Sequence, residues 1–226
     1  MSVCIIPARG GSKRIPRKNI RHFHGRPMIG WSIAAARASG LFDRIVVSTD
    51  DPEIAEVAQA EGAEVPFLRP AELADDHAAT VPVIAHAVTA LSLPADCPVC
   101  CLYATAPLIE TGDLVAGFEM LAGARFVMAV TTFPYPIQRA LRRKEDASVE
   151  MMNIEYASSR SQDLEEAWHD AGQFYWARAQ TWTSGLPVLG AGAKAVSLPR
   201  HRVQDIDTLD DWLRAELLFS ILKAGS

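Results

Sequence analysis

The sequence predicts an α/β fold, a doubly wound and mainly parallel sheet covered by helices on both faces. Three observations lead there. Short apolar strands alternate with helical patterns from Val3 to Thr132. The strands are apolar throughout, as in Cys4-Ile5-Ile6, which fits burial on both sides rather than one. The first strand runs into a glycine-bearing loop and then a helix, and open α/β sheets bind ligands beyond the carboxyl ends of their strands.

The elements follow in order. Val3–Pro7 is the first strand. Pro27–Ser39 reads as a helix, stopped by Gly40. Arg44–Ser48 is a strand with β-branched residues. Asp51-Pro52-Glu53 opens a helix with a capping carboxylate, a first-turn proline and an acidic residue, and Gly62 ends it. Glu64–Leu68 is expected to be a third strand. Ala78–Leu91 reads as a helix, Val99–Tyr103 as a strand, Asp113–Leu121 as a helix and Phe126–Thr132 as a strand. From Pro134 to Glu166 the alternation stops and charged residues such as Arg139, Arg142, Arg143, Lys144, Glu145 and Asp146 dominate. This segment, 134–166, reads as an insertion arm within a single domain of residues 1–226, packed over the site or against a second subunit. Strand patterns resume at Gly172–Ala177 and Ala195–Leu198. Thr208 and Asp211 have capping-box spacing and start a last helix, on which Leu209, Trp212, Leu213, Leu217 and Ile221 are expected to share one face.

Composition narrows the function. The 226 residues are 49% hydrophobic and 22% charged, as in ordinary globular proteins. No apolar run approaches the ~18–20 residues of a membrane span. The apolar stretch before Arg9 is too short for a secretory signal, so a cytoplasmic protein without membrane contact is expected. Lys and Arg total 22 against 27 Asp and Glu, a net charge of −5 that argues against a nucleic-acid partner. An anionic ligand must then be held by a local basic cluster. Cys97 and Cys100 have C-x-x-C spacing, but no second pair follows, and the apolar run Cys97–Tyr103 makes them packing residues of a buried strand. His22, His24, His77, His86 and His201 are scattered and suggest no metal cluster. Trp31, Trp212 and Phe219 read as core, and so do Trp168, Phe174, Tyr175 and Trp176, although these four could also wall a ligand pocket.

Two motifs carry chemistry. The loop Pro7–Asn19 holds five cations between residues 9 and 18, around Gly10 and Gly11. Glycines let backbone N–H groups approach an anion, while Arg9, Lys13 and Lys18 neutralise it and Ser12 donates a further hydrogen bond. A nucleoside triphosphate matches that charge. The loop is neither a Walker A motif nor a dinucleotide fingerprint. The second motif is Gln204–Thr208, where Asp205 and Asp207 stand at i and i+2 on an extended segment and so project to one side. Paired carboxylates of this kind suit Mg²⁺; the competing reading is helix capping with Asp205 merely exposed.

These motifs resemble the sugar-activating cytidylyltransferases, the family that includes synthetases of CMP-linked nine-carbon sialic-type acids and of CMP-Kdo. The family's loop, roughly A-R-x-x-S-K-x-x-x-x-K-N, is matched at Ala8, Arg9, Ser12, Lys13, Lys18 and Asn19. Val47-Ser48-Thr49-Asp50, Arg69-Pro70-Ala71-Glu72-Leu73 and Asp205-Ile206-Asp207-Thr208 match further along, in order. Val65–Pro70, Tyr103–Pro107, Arg160–Glu166 and His169–Tyr175 resemble the pseudaminic acid branch more than the neuraminic acid branch.

The resemblance implies a Rossmann-like, nucleotidyltransferase-type fold and transfer of CMP from CTP to the anomeric hydroxyl of an acidic nine-carbon sugar. It implies that Arg9, Gly10, Gly11, Ser12, Lys13, Lys18 and Asn19 hold the triphosphate, and that Arg69 and Thr80 frame the cytidine. It further implies that Asp205 and Asp207 carry Mg²⁺, that Lys13, Arg9 and Asp207 serve catalysis, and that the enzyme is a homodimer. Tyr103, Thr105, Arg160, Gln162, His169, Asp170 and Gln173 are the candidates for the sugar. The alternatives are a CMP-N-acetylneuraminic or CMP-legionaminic acid synthetase, a kinase or NTPase that would release γ-phosphate, and a non-catalytic nucleotide-binding module.

Overall fold

The computed structural model describes residues 1–75 and 78–224. In chain order the strands and helices are β1 (Val3–Pro7), β2 (His22–Phe23), β3 (Arg26–Pro27), α1 (Met28–Ala38), β4 (Arg44–Ser48), α2 (Pro52–Ala60), α3 (Thr80–Ala90), β5 (Pro98–Leu102), α4 (Thr111–Met120), β6 (Phe126–Thr132), β7 (Leu141–Arg143), β8 (Val149–Met151), β9 (Trp168–Arg178), α5 (Ala179–Thr183), β10 (Ala193–Ser197) and α6 (Leu209–Ala224). Six strands form the central sheet in the order β10-β6-β9-β5-β1-β4. β9 runs antiparallel to both its neighbours, β5 and β6, and the other pairings are parallel. The carboxyl ends of β1, β4, β5 and β6 therefore lie at one end of the sheet, together with the start of β9.

Strand periodicity explains why β1 is apolar at every position. Cys4 and Ile6 pack under α1, α2 and α4 with Ile29, Ile33, Ile54 and Leu114, whereas Val3 and Ile5 face α3 and α5 with Ile84, Val88 and Trp182. Cys4, Cys100 and Cys101 are fully buried free thiols, and burial pushes Cys100 and Cys101 well above the ordinary thiol range. Phe174, Tyr175 and Trp176 are core residues, while Trp168 is 45% exposed.

A third cluster lies beside the sheet and joins Ile15, Phe23, Met28, Leu108, Ile206, Trp212 and Phe219. Ile15 comes from the basic loop and Ile206 stands between the two aspartates. The same apolar packing therefore fastens both motifs and α6.

Three expectations need correction. Glu64–Leu68 is not a strand; it touches β4 and the following residue through isolated bridges, Val46 with Glu64 and Thr49 with Leu68. Pro66 within it has no N–H to continue a ladder. The strand expected at Gly172–Ala177 starts four residues earlier, at Trp168, and contains a bulge where the partner of Met128 is Tyr175 but that of Val130 is Asp170. Gly172 sits in this bulge with φ +60°. On α6, Trp212, Ala215 and Phe219 face inward, but Leu209, Leu213, Leu217 and Ile221 are exposed. A spacing of four residues advances about 40° per step around a helix of 3.6 residues per turn, so this stripe winds away from Trp212. The cap itself forms as expected: the Asp211 N–H donates to Thr208 Oγ1 at 3.2 Å, and the Thr208 N–H to Asp211 Oδ2 at 2.8 Å.

Candidate active site

The basic loop leaves the end of β1, where the Ala8 N–H donates to the Ser48 carbonyl at 3.0 Å. Asn19 is buried, and its amide donates to the Arg9 carbonyl at 3.0 Å, closing the loop on itself. Arg17 has φ +57°, the left-handed region that a side chain rarely adopts. It is held there by Asp51, 2.5 Å from its Nη1, and by Glu53. The hydrogen bond from Arg17 holds the Asp51 carboxyl below its usual range. At Gly10 an added Cβ would lie 2.3 Å from Asp51 Oδ2, so glycine is required there for close approach. The Gly10 N–H is already committed to Asp50 Oδ1 at 3.1 Å, so it does not face an incoming anion as the glycine pattern suggested. Gly11 borders open space.

Beyond this loop opens a cavity of about 490 Å³. It is lined by Pro7, Arg9, Ser12, Lys13, Arg14, Lys18, Asn19, Arg69, Ala78, Thr80, Val83, Tyr103, Ala104, Thr105 and Asp207. Cations from the loop and from Arg69 thus converge in a chain whose net charge is −5. Arg69 is buried, and burial lowers its pKa against the opposing pull of Asp50, 3.5 Å from its Nη2. Its Nε is shut off from solvent with no hydrogen-bond partner. A guanidinium so poorly satisfied is suited to gaining an anionic or carbonyl partner inside the cavity. Thr80 Oγ1 and the Tyr103 hydroxyl are 2.8 Å apart on the far wall, and burial pushes the Tyr103 phenol up to about 12.

The acidic couplet meets the basic loop through Asp207, whereas Asp205 does not line the cavity. Arg14 Nη2 is 2.7 Å from Asp207 Oδ2, and Lys18 Nζ is 3.2 Å from Asp207 Oδ1 while also donating to the Ile206 carbonyl. Ile206 is fully buried, whereas Asp205 is exposed and Asp207 half-buried on either side of it. Desolvation and the neighbouring Asp207 push the Asp205 carboxyl above its ordinary range.

The sugar-side candidates divide. Tyr103 and Thr105 line the cavity. Arg160 and Gln162 lie on the exposed arm around a short turn, Ser161–Asp163. His169 Nδ1 lies 2.8 Å from the Asp170 carbonyl oxygen, and its ring lies against Phe133. The Asp170 carboxylate accepts from the Tyr175 hydroxyl at 2.6 Å and from the Gly172 N–H at 2.8 Å, pinning the bulge. Gln173 is 3% exposed and its amide donates to the Arg202 carbonyl at 2.6 Å, which turns it toward the couplet's loop rather than toward open solvent. Sequence reading passed over Arg14 and Asp50 as site residues. Arg14 lay within the cation count, and Asp50 within the Val47–Asp50 motif. His77 lies outside the described residues.

The chain as a whole is similar to known proteins. The chain's residues 3–182 fit the family model described as Cytidylyltransferase. The chain belongs to the cytidylyltransferase family. It is 44% identical over 224 residues to pseudaminic acid cytidylyltransferase of Campylobacter jejuni subsp. jejuni serotype O:2, covering 97% of each chain. It is 34% identical over 215 residues to N-acylneuraminate cytidylyltransferase B of Danio rerio, covering 94% of this chain and 50% of that one. Among solved structures, a CMP:2-keto-3-deoxy-manno-octonic acid synthetase complexed with CTP superposes with a TM-score of 0.71 at 17% identity, covering 98% of this chain and 99% of the other. That last likeness establishes the shared nucleotidyltransferase fold. As a cytidylyltransferase, the enzyme uses CTP as its nucleotide substrate.

Proposed function

We propose that this cytidylyltransferase transfers CMP from CTP to the anomeric hydroxyl of pseudaminic acid and releases pyrophosphate. The observation that carries the reading is the meeting of Arg9, Lys13, Arg14, Lys18, Arg69 and Asp207 in one cavity at the carboxyl end of the sheet. In the reaction the hydroxyl oxygen bonds to the α-phosphorus, the bond from that phosphorus to the bridging oxygen of the β-phosphate breaks, and pyrophosphate departs in line. The hydroxyl proton passes to solvent. The protein's work is positioning and charge neutralisation. Arg9, Ser12, Lys13 and Lys18 hold the triphosphate, with Lys13 and Arg9 against the charge that builds as pyrophosphate leaves. Asn19 keeps the loop closed, and Arg69 and Thr80 frame the cytidine.

The donor set suits magnesium. Asp205 and Asp207 offer hard oxygen donors, and their mutual repulsion favours a cation between them. Among the described residues no group of three or more His, Cys, Asp or Glu side chains could hold a metal, so an all-protein cage is absent there. Mg²⁺ usually takes one or two carboxylates and completes its shell with phosphate oxygens and water. Bound at Asp205 and Asp207, it would supply charge neutralisation for the phosphates. Asp207, already paired with Arg14 and Lys18, also sets the distance between couplet and loop.

The acceptor reading rests on the 44% identity to the Campylobacter enzyme and on Tyr103 and Thr105 at the cavity wall. The sugar's carboxylate requires a cation, which Arg160 of the arm would supply, from this chain or from the second copy of a homodimer. The arm projects from the end of the sheet where the cavity opens, and its apolar side chains favour pairing with another copy. Among the described residues no helix is long and apolar enough to cross a membrane. CTP as substrate and four free cysteines fit the reducing cytoplasm. The deciding experiment is pyrophosphate release from CTP with pseudaminic, N-acetylneuraminic and legionaminic acids offered separately. Fastest turnover with pseudaminic acid supports the reading; faster turnover with either of the others overturns the acceptor assignment, and CTP binding without turnover on any acceptor overturns the enzymatic one.

A further inference from the structure

Between the end of β10 and the start of α6 the chain crosses the cavity end of the sheet, and one residue in this crossing is held unusually hard. Arg202 is 9% exposed. Its guanidinium meets the Asp113 carboxylate in a two-pronged contact, Nη1 to Oδ2 at 2.5 Å and Nη2 to Oδ1 at 3.0 Å, with Glu110 Oε2 at 3.5 Å from Nη1. Asp113 is equally buried at the first turn of α4, where it also accepts from the Glu110 N–H. The Arg202 carbonyl receives the buried amide of Gln173 from β9. One residue thus ties the crossing segment to a helix and to the central sheet. Asp205 follows three positions later, with the buried Ile206 as the next fixed point.

A buried ion pair is a poor way to gain stability, because desolvation offsets much of the attraction and apolar replacements are often as stable. What it supplies is direction: a planar guanidinium gripping a carboxylate at two points fixes both position and orientation. We propose that Arg202, together with Asp113 and Gln173, is a positioning residue that sets where Asp205 and Asp207 stand relative to the basic loop, and so governs divalent-ion binding beside the triphosphate. The inference rests on the reading of those two aspartates as cation ligands. Groups that orient metal ligands from behind typically change metal affinity by about 10–100-fold when removed.

The test is Mn²⁺ binding to the full chain with CTP present and no acceptor sugar, followed by the loss of the free-ion paramagnetic resonance signal beyond that caused by the same CTP without protein. CTP affinity in EDTA is measured alongside by calorimetry. The variant pairs Arg202→Met with Asp113→Leu, which replaces the ion pair by apolar groups and is chosen to keep the fold. The expected result is a cooperative melt lowered by no more than the lost α4 cap costs, unchanged CTP affinity in EDTA, and Mn²⁺ affinity weakened by about tenfold or more. Wild-type Mn²⁺ affinity in the folded double variant overturns the positioning role and leaves the ligand reading standing. Absence of Mn²⁺ binding by the wild-type protein with CTP overturns the ligand reading, and the positioning role with it. Should the double variant fail to fold, Gln173→Leu decides: it removes only the amide grip on the Arg202 carbonyl, and an unweakened Mn²⁺ affinity there overturns the proposal.

Discussion

The basic loop at residues 9–19 and the arm at residues 134–166 are both dense in charge, but they are held in opposite ways. Charges of the loop reach across the chain: Lys18 meets Asp207, Arg17 meets Asp51 and Glu53, and Arg14 meets Asp207. Ile15 anchors the loop beneath, fully buried. In the arm, Arg142 and Lys144 pair with Glu150 across a hairpin of two three-residue strands, and Ser148 donates to Asp146. There Tyr135, Val149 and Ile154 are 81%, 61% and 74% exposed. A two-stranded hairpin is marginal alone in water. The cavity is lined from one chain, whereas the arm leaves large apolar side chains exposed.

Each half of this contrast can be broken separately. Lys13→Ala is the strongest blow to the nucleotide end. Pyrophosphate release should fall ~100–1,000-fold, the usual consequence of removing one preorganised contact to developing charge, with an unchanged melting curve. Turnover at the wild-type rate would remove Lys13 from the triphosphate site.

Asp207→Asn should raise the magnesium concentration for half-maximal rate by about tenfold or more, judged against the effect of losing even indirect metal partners. A pH series sharpens this. Asp205 titrates above the ordinary carboxylate range, and its protonated form is a poor cation ligand, so the magnesium requirement should grow on acidification before an ordinary carboxylate would protonate. A requirement that stays flat down to the ordinary carboxylate range would contradict that environment for Asp205.

For the arm, Val149→Ser combined with Ile154→Ser should shift sedimentation toward a smaller species and raise KM for the acid sugar a few-fold, with KM for CTP unchanged. An unaltered sedimentation profile would break the comparison. The smallest effect belongs to Arg17→Ala. Arg17 is partly exposed, so screening limits its loss to about 1 kcal/mol or less. Because Arg17 depresses the Asp51 pKa, its stabilisation is present above the unfolded carboxylate value and disappears as pH falls through the lowered folded one. The gap between wild-type and variant melting temperatures should close over that acidic window.

Much of this was legible in the residues. The apolar run of β1, the Asp51-Pro52 helix start and the Thr208/Asp211 cap are local signals, and each formed as local chemistry dictates. The cation count before Asn19 pointed to the cavity, which Arg9, Lys13, Arg14 and Lys18 line, whereas Arg17 pairs with Asp51 and Glu53 instead. What escaped notice was non-local. The grip of Asp50 on the Gly10 N–H spans 40 residues, and that of Gln173 on Arg202 spans 29. Neither leaves a periodic trace, and only sheet topology brings the partners together. The exposed stripe of α6 misled for another reason: leucines four residues apart drift about 40° per step around the helix and so leave the face that Trp212 buries.

Central to the proposed function is one nucleoside triphosphate enclosed between the loop and the couplet. A crystal of the protein with CTP and Mn²⁺, examined for anomalous scattering, tests it most directly. The expected result is a manganese peak touching Asp205 or Asp207 and the triphosphate together, with Arg9 and Lys13 on the phosphate oxygens. Triphosphate density away from the cavity, or manganese bound to CTP without either aspartate, would contradict it.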